Sequence, residues 1–149
     1  MAKKRNRKTR NKKVRNATSR AYKGIQFRSK LELFAYQKFE ETGIPVLYEK
    51  RKYVLQEGFR YEGPSFEHSR SNGFVDNTTK VRDITYTPDF VDPQGRFVVE
   101  IKGYANDVFP LKWKMFKRYL SETGLPVPAL FLPRNQQQVL ETIEQIKQL

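Results

Sequence analysis

The chain has 149 residues, 38% of them hydrophobic, with eleven Phe and eight Tyr, which suits one domain with a single modest core. With no cysteine and one histidine, it has no means of building disulfides, thiolate metal sites, cysteine nucleophiles or a multi-histidine zinc centre. The formal charge of +13 is concentrated at one end: Met1 to Lys30 holds thirteen Lys or Arg and no acid, and the remainder balances sixteen basic against sixteen acidic residues.

Residues 1–22 are expected to form a disordered basic arm, because they have almost nothing to bury and repel themselves. Lys3, Lys4, Arg5, Arg7, Lys8 and Arg10, then Lys12, Lys13, Arg15 and Arg20, are candidate phosphate contacts, joined by Arg28 and Lys30 at the start of the domain. Such an arm gains free energy by displacing counterions condensed on a phosphate backbone, which makes nucleic acid its natural partner. A solubilising tail, a ribosome-type extension and a membrane-surface patch are the competing readings; the last lacks an apolar face. No apolar run follows the basic start, so a soluble, cytoplasmic protein is expected, in a bacterial host if phage-encoded.

The domain is expected over 23–149, with ordered structure from about Ile25. Ser29 and Glu32 have capping-box spacing, and Leu31, Phe34, Ala35 and Phe39 recur at helical intervals until Gly43 and Pro45, predicting a helix over 30–42. Val46 to Leu55 reads as one strand with a wet face. Residues 56–82, with Phe59, Tyr61, Phe66 and Phe74 among Gly, Ser and charge, read as an insertion or irregular hairpin. DITYTPDF and RFVVEIKG around the Pro93–Gly95 turn form a strand hairpin. A helix opening at Pro110 and closing at Gly124, a buried strand over 127–132 and a last helix through Val139, Ile143 and Ile146 complete an α/β sandwich around a mixed sheet.

The chemistry-bearing segment is Pro88-Asp89 followed by Glu100-Ile101-Lys102. Strand alternation sends Phe97, Val99 and Ile101 to one face and Val98, Glu100 and Lys102 to the other. Pro88 marks a strand edge, start or bulge at which Asp89 turns toward the neighbouring strand. Two carboxylates there offer hard oxygen ligands for Mg2+ or Mn2+, and Lys102 stands ready to orient a water or balance developing charge in phosphodiester hydrolysis. Either dipeptide alone is more often an ordinary turn or a cross-face ion pair; their conjunction behind a basic arm carries the functional reading. Glu32 is equally well explained as a helix cap. Asp83 and Asp92 read as turn or edge residues, and His68 as a surface residue.

Tyr86 to Phe90, Gly95 and Phe97 to Gly103 resemble the catalytic hairpin of PD-(D/E)XK phosphodiesterases. Phe27 to Glu32 with Gly43-Ile44 is similar to the first helix of phage endonuclease I-like Holliday junction resolvases. The resemblance implies a restriction-endonuclease-like core, divalent metal on Glu32, Asp89, Glu100 and the Ile101 backbone carbonyl, and Lys102 assisting the attacking water. It further implies a DNA endonuclease leaving a 5′ phosphate, plausible at branched DNA, and a homodimer, since paired cuts suit two-fold symmetry. Residues 56–82 are longer than that pattern. The alternatives are a transposase-type DNA-cleaving subunit and a non-catalytic nucleic-acid-binding or assembly protein.

Overall fold

The computed structural model describes residues 20–77, 80–103 and 108–149. The proposed phosphate contacts from Lys3 to Arg15 lie outside the described residues. Chain order is β1 (Arg20–Tyr22), β2 (Ile25–Phe27), α1 (Lys30–Glu41), β3 (Leu47–Tyr48), β4 (Tyr53–Gln56), β5 (Phe66–Ser69), β6 (Gly73–Asp76), β7 (Ile84–Tyr86), β8 (Phe90–Val91), β9 (Phe97–Val99), α2 (Phe109–Glu122), β10 (Ala129–Phe131) and α3 (Gln136–Ile146). Ordered structure begins earlier than expected, because β1 pairs antiparallel with β2 and takes Arg20 to Tyr22 out of the arm.

The four-stranded sheet runs β10-β9-β8-β3 and is mixed: β10 lies parallel to β9, and the other two pairings are antiparallel. Alternation along β9 divides the core as the sequence pattern predicts. Phe97, Val99 and Ile101 pack with Ala35, Phe39, Val139 and Ile143 on the α1 and α3 side. Val98 faces Phe109, Phe116 and Leu120 of α2 on the other. The first side is a run of touching rings, Phe27 to Tyr48 to Phe90 to Phe39, with centroids 4.6 to 5.4 Å apart. Removing each such phenyl from water contributes about 1.5–3 kcal/mol, and this ring seam fixes α1 against the sheet.

Helix α1 matches its predicted span almost to the residue. Ser29 caps it by accepting the Glu32 N–H. Its far end closes as the Gly43 N–H donates to the Glu40 carbonyl and the Ile44 N–H to that of Phe39, a geometry that needs the left-handed φ of 69° at Gly43.

The expected single strand from Val46 to Leu55 is two. Glu49 takes a φ of 47°, which breaks the run, sending β3 to the main sheet and β4 to a separate ladder with β7. That conformation costs about 1–3 kcal/mol in a non-glycine residue and is held from both ends. The Glu49 N–H donates to the Asp89 carbonyl at 2.8 Å, and its carboxylate takes Arg28 Nε at 2.9 Å. DITYTPDF is likewise divided, with buried Pro88 between β7 and β8, so the segment feeds two sheets in succession.

Residues 56–82 form an irregular antiparallel arm. The β4–β7 ladder continues through the Phe59–Val81 bridge to the β5–β6 hairpin. Its strands come close at Gly58, whose N–H donates to Asp83 Oδ1 at 2.7 Å and where a Cβ would press into the Val81 carbonyl. Among the described residues, no helix is long and apolar enough to cross a membrane.

Candidate functional site

Register brings the first two candidate residues together. Phe90 pairs with Val99 and Val91 with Val98, so Asp89 lies opposite Glu100 and their side chains share the α2 face. Beyond β9 the chain stays extended because the N–H groups of Glu100 and Lys102 donate to the carbonyls of Phe131 and Pro133. The intervening Ile101 N–H points the opposite way and donates to Asp89 Oδ2 at 2.7 Å. Asp89 thus replaces a ladder carbonyl with a carboxylate at the point where Pro88 ends the pairing.

Glu100 is 3% exposed and fully engaged. Its Oε2 accepts the Tyr86 hydroxyl at 2.8 Å and the Asp89 N–H at 3.3 Å, and its Oε1 faces Lys102 Nζ at 2.8 Å. The Lys102 ammonium also lies 4.6 Å from the centroid of the Phe109 ring. That ring anchors the first turn of α2 and lends its π face to the cation.

Glu32 performs its capping role in full. Oε1 accepts the Ser29 hydroxyl at 2.8 Å, and Oε2 accepts the Arg28 N–H at 3.1 Å and the Tyr48 hydroxyl at 2.6 Å. It nonetheless belongs to the same electrostatic neighbourhood. Burial first, then the charge of Glu100, then that of Glu32 push the Asp89 carboxyl up to about 8, against the opposing pull of the Ile101 N–H and Lys102. Tyr86 and Tyr48 are held well above the ordinary phenol range, by burial and by the carboxylates they serve, so both remain hydrogen-bond donors.

Asp89 therefore lies within electrostatic reach of two further carboxylates, Glu100 and Glu32, and of the Lys102 ammonium. Among the described residues, nothing donates to Asp89 Oδ1. Since every fully buried side-chain N or O atom there has a partner, Oδ1 keeps contact with solvent. No N–H of the described residues reaches the Ile101 carbonyl either. These two open oxygens beside Glu100 form a hard donor set that fits Mg2+ or Mn2+. The three acids do not already stand as a cluster: among the described residues no group of three or more His, Asp or Glu is spaced to hold an ion, and Glu32 is turned into its own cap.

Arg28 is exposed and paired with Glu49, and Lys30 is exposed at the start of α1. Arg20 enters through its backbone in β1. His68 is an exposed residue of β5, and Asp83 is exposed with its carboxylate bound to Gly58. Asp92 is a turn residue, as read from the sequence, but a fully buried one that binds the backbone N–H and guanidinium of Arg96. Tyr48 and Tyr86 escaped sequence reasoning as site residues. Their signal was present: a tyrosine in a buried strand needs a partner for its hydroxyl, and a carboxylate is one it can donate to.

No curated protein and no solved structure matches the chain. A family model does match residues 7–127, spanning the basic arm, α1, the β8–β9 hairpin and α2, and the chain belongs to that family, described as "Protein of unknown function (DUF1064)".

Proposed function

We propose that the protein is a divalent-metal-dependent DNA endonuclease built on a restriction-endonuclease-like core, with Asp89, Glu100 and Lys102 as its catalytic residues. One observation carries the reading. A buried aspartate and a buried glutamate face each other across the β8–β9 hairpin, with a lysine ammonium 2.8 Å from the second and an open aspartate oxygen on the first. A purely structural pairing would set each acid against a cation, whereas here Asp89 faces a second carboxyl, and burial first, then the charges of Glu100 and Glu32, raise its pKa.

Asp89 Oδ1, Glu100 and the Ile101 carbonyl would hold Mg2+ or Mn2+. When bound, the ion supplies Lewis-acid polarisation of the scissile phosphate and a more acidic water. Lys102 orients the attacking water and offsets charge gathering on the phosphate, while its packing on Phe109 limits where its amino group reaches. Water attacks phosphorus, the bond to the 3′ oxygen breaks, that oxygen takes a proton, and the products are a 3′ hydroxyl and a 5′ phosphate. Glu32 raises the proton affinity of Asp89 and would reach the ion through water, its oxygens being held by Ser29, Arg28 and Tyr48. The basic arm supplies sequence-independent attraction for the phosphate backbone. Branched DNA is the proposed substrate, and a homodimer its proposed acting form, because a symmetric junction needs two cuts.

The test incubates wild type and Asp89→Ala with a four-way junction and a matched duplex in Mg2+ or Mn2+. Wild type should cut the junction, and the variant should be slower by about 10³-fold or more, equivalent to roughly 4 kcal/mol of barrier. If both leave every substrate bound and intact, the enzyme reading fails and a binding protein remains. Equal cutting of junction and duplex would retain the nuclease and discard the junction preference.

A further inference from the structure

We propose that a basic cleft at the foot of the β4–β7 arm, lined by Lys52, Lys80 and Arg82, holds the DNA phosphate backbone a few nucleotides from the scissile bond. This inference rests on the nuclease reading and extends it to the path of the substrate.

The cleft is open, about 510 Å3 in volume, and is completed by Asp83 and Thr85. All three cationic residues on it are described, and none forms an ion pair with a described residue. Three cations elsewhere are used differently: Lys23 and Lys38 are paired with Glu40 and Glu41 of α1, and Lys147 with Glu144 of α3. The single acid of the cleft, Asp83, is held by the Gly58 N–H and makes no ion pair with the three cations, so the cleft keeps a positive excess. A concave surface with several like charges focuses the field outward and favours a polyanion over a small anion.

The location ties this charge to the carboxylate site. Thr85 lines the cleft, and the next residue, Tyr86, leaves β7 on the other face and donates its hydroxyl to Glu100, so the cleft and the acids flank one strand. The Thr85 carbonyl is fixed by Lys112 Nζ at 3.1 Å, so α2 pins the cleft to the strand that supports the acids. Four residues separate Thr85 from Asp89, at most about 14 Å of extended chain. A DNA strand rises 3.4 Å per nucleotide, so a backbone crossing both sites is bound within about four nucleotides of the cut. The two lysines and the arginine come from both strands of the arm, which explains a use for residues 56–82: they fold back to place Lys80 and Arg82 beside Lys52.

The full-length protein carrying Lys52→Ala, Lys80→Ala and Arg82→Ala is compared with wild type and with a charge-matched control, Lys23→Ala, Lys38→Ala and Lys147→Ala. Anisotropy of a labelled four-way junction is followed over a salt series in chelator, so that binding is read without cutting, and thermal melts check folding. The cleft variant should bind about tenfold or more weakly at physiological salt, and its slope of log affinity against log salt should fall by about 2–3, near 0.9 per lost phosphate contact. An unchanged slope in the cleft variant, an equal loss in the control, or no junction binding by wild type overturns the proposal. The Asp89→Ala cleavage comparison is independent of this result: failure there removes the nuclease and leaves the measured cleft contribution standing, and failure here leaves the nuclease without this substrate path.

Discussion

The two ends of the β8–β9 hairpin each bury an aspartate, and the chain treats them in opposite ways. At the turn, Asp92 is wholly enclosed and meets the Arg96 guanidinium and backbone N–H, which hold its carboxyl below the usual range. Three residues earlier, Asp89 is almost as buried but faces Glu100 and feels Glu32, and burial first, then those two charges, push its carboxyl up to about 8. Burial alone does not separate them. The difference is whether the surrounding charge has been balanced, and an unbalanced acid at a strand edge is costly to keep unless a cation is meant to arrive.

The sharpest way to break this comparison exchanges the costs. Asp92→Ala should lower stability by about 2–4 kcal/mol, because it leaves the Arg96 N–H and guanidinium without their acceptor, while the folded fraction keeps its cutting activity. Asp89→Asn should leave stability unchanged or improved at neutral pH while cutting is lost. Urea unfolding beside a junction-cleavage assay reads both. Equal destabilisation by the two substitutions would mean that Asp89 is as structural as Asp92.

Next in size is the pH dependence. A folded-state pKa above the unfolded value means that between about pH 4 and 8 the metal-free folded protein keeps a proton that the unfolded chain has released. Stability from this group is therefore present below about pH 4 and is lost as pH rises, with a slope of at most about 1.4 kcal/mol per unit. Asp92 has the opposite sign: its contribution is present above the unfolded value and lost as pH falls through its lowered folded value. Because a carboxylate must be deprotonated to bind an ion, Mn2+ uptake at pH 7 should release close to one proton. Calorimetry in two buffers of different ionisation heat measures this, and Asp89→Asn should abolish the release.

Much of this was legible beforehand, for local reasons. The Ser29 to Glu32 spacing located α1, period-two alternation separated the faces of β9, and the Pro93–Gly95 turn joined β8 to β9. Each signal acts within a few residues. What escaped was decided at longer range. No propensity in Val46 to Leu55 announces a left-handed Glu49; the conformation is held by a carbonyl forty residues away at Asp89. Arg20 to Tyr22 read as arm because composition there is basic, yet their backbone pairs with β2. The acid centre was visible as a motif, but the tyrosines that hold it in place were not, since Tyr48 reaches Glu32 on α1 and Tyr86 reaches Glu100 beyond β9, each from another element.

Those tyrosines give the smallest expected effect and a test of how firmly the acids are held. Tyr86→Phe removes the hydroxyl that donates to Glu100 Oε2 but keeps the ring packed against Trp113 and Phe116. Stability should therefore fall by only about 1 kcal/mol. Without that donor Glu100 keeps Lys102 and the Asp89 N–H, so the carboxylate is freer to turn. Cutting should slow by about tenfold, or ~1.4 kcal/mol of barrier, whereas Tyr119→Phe, which makes the same ring change on the far part of α2, should leave the rate in place. A Tyr86→Phe rate equal to that of wild type would make the hydroxyl a packing accessory and leave Glu100 oriented by Lys102 and the Asp89 N–H.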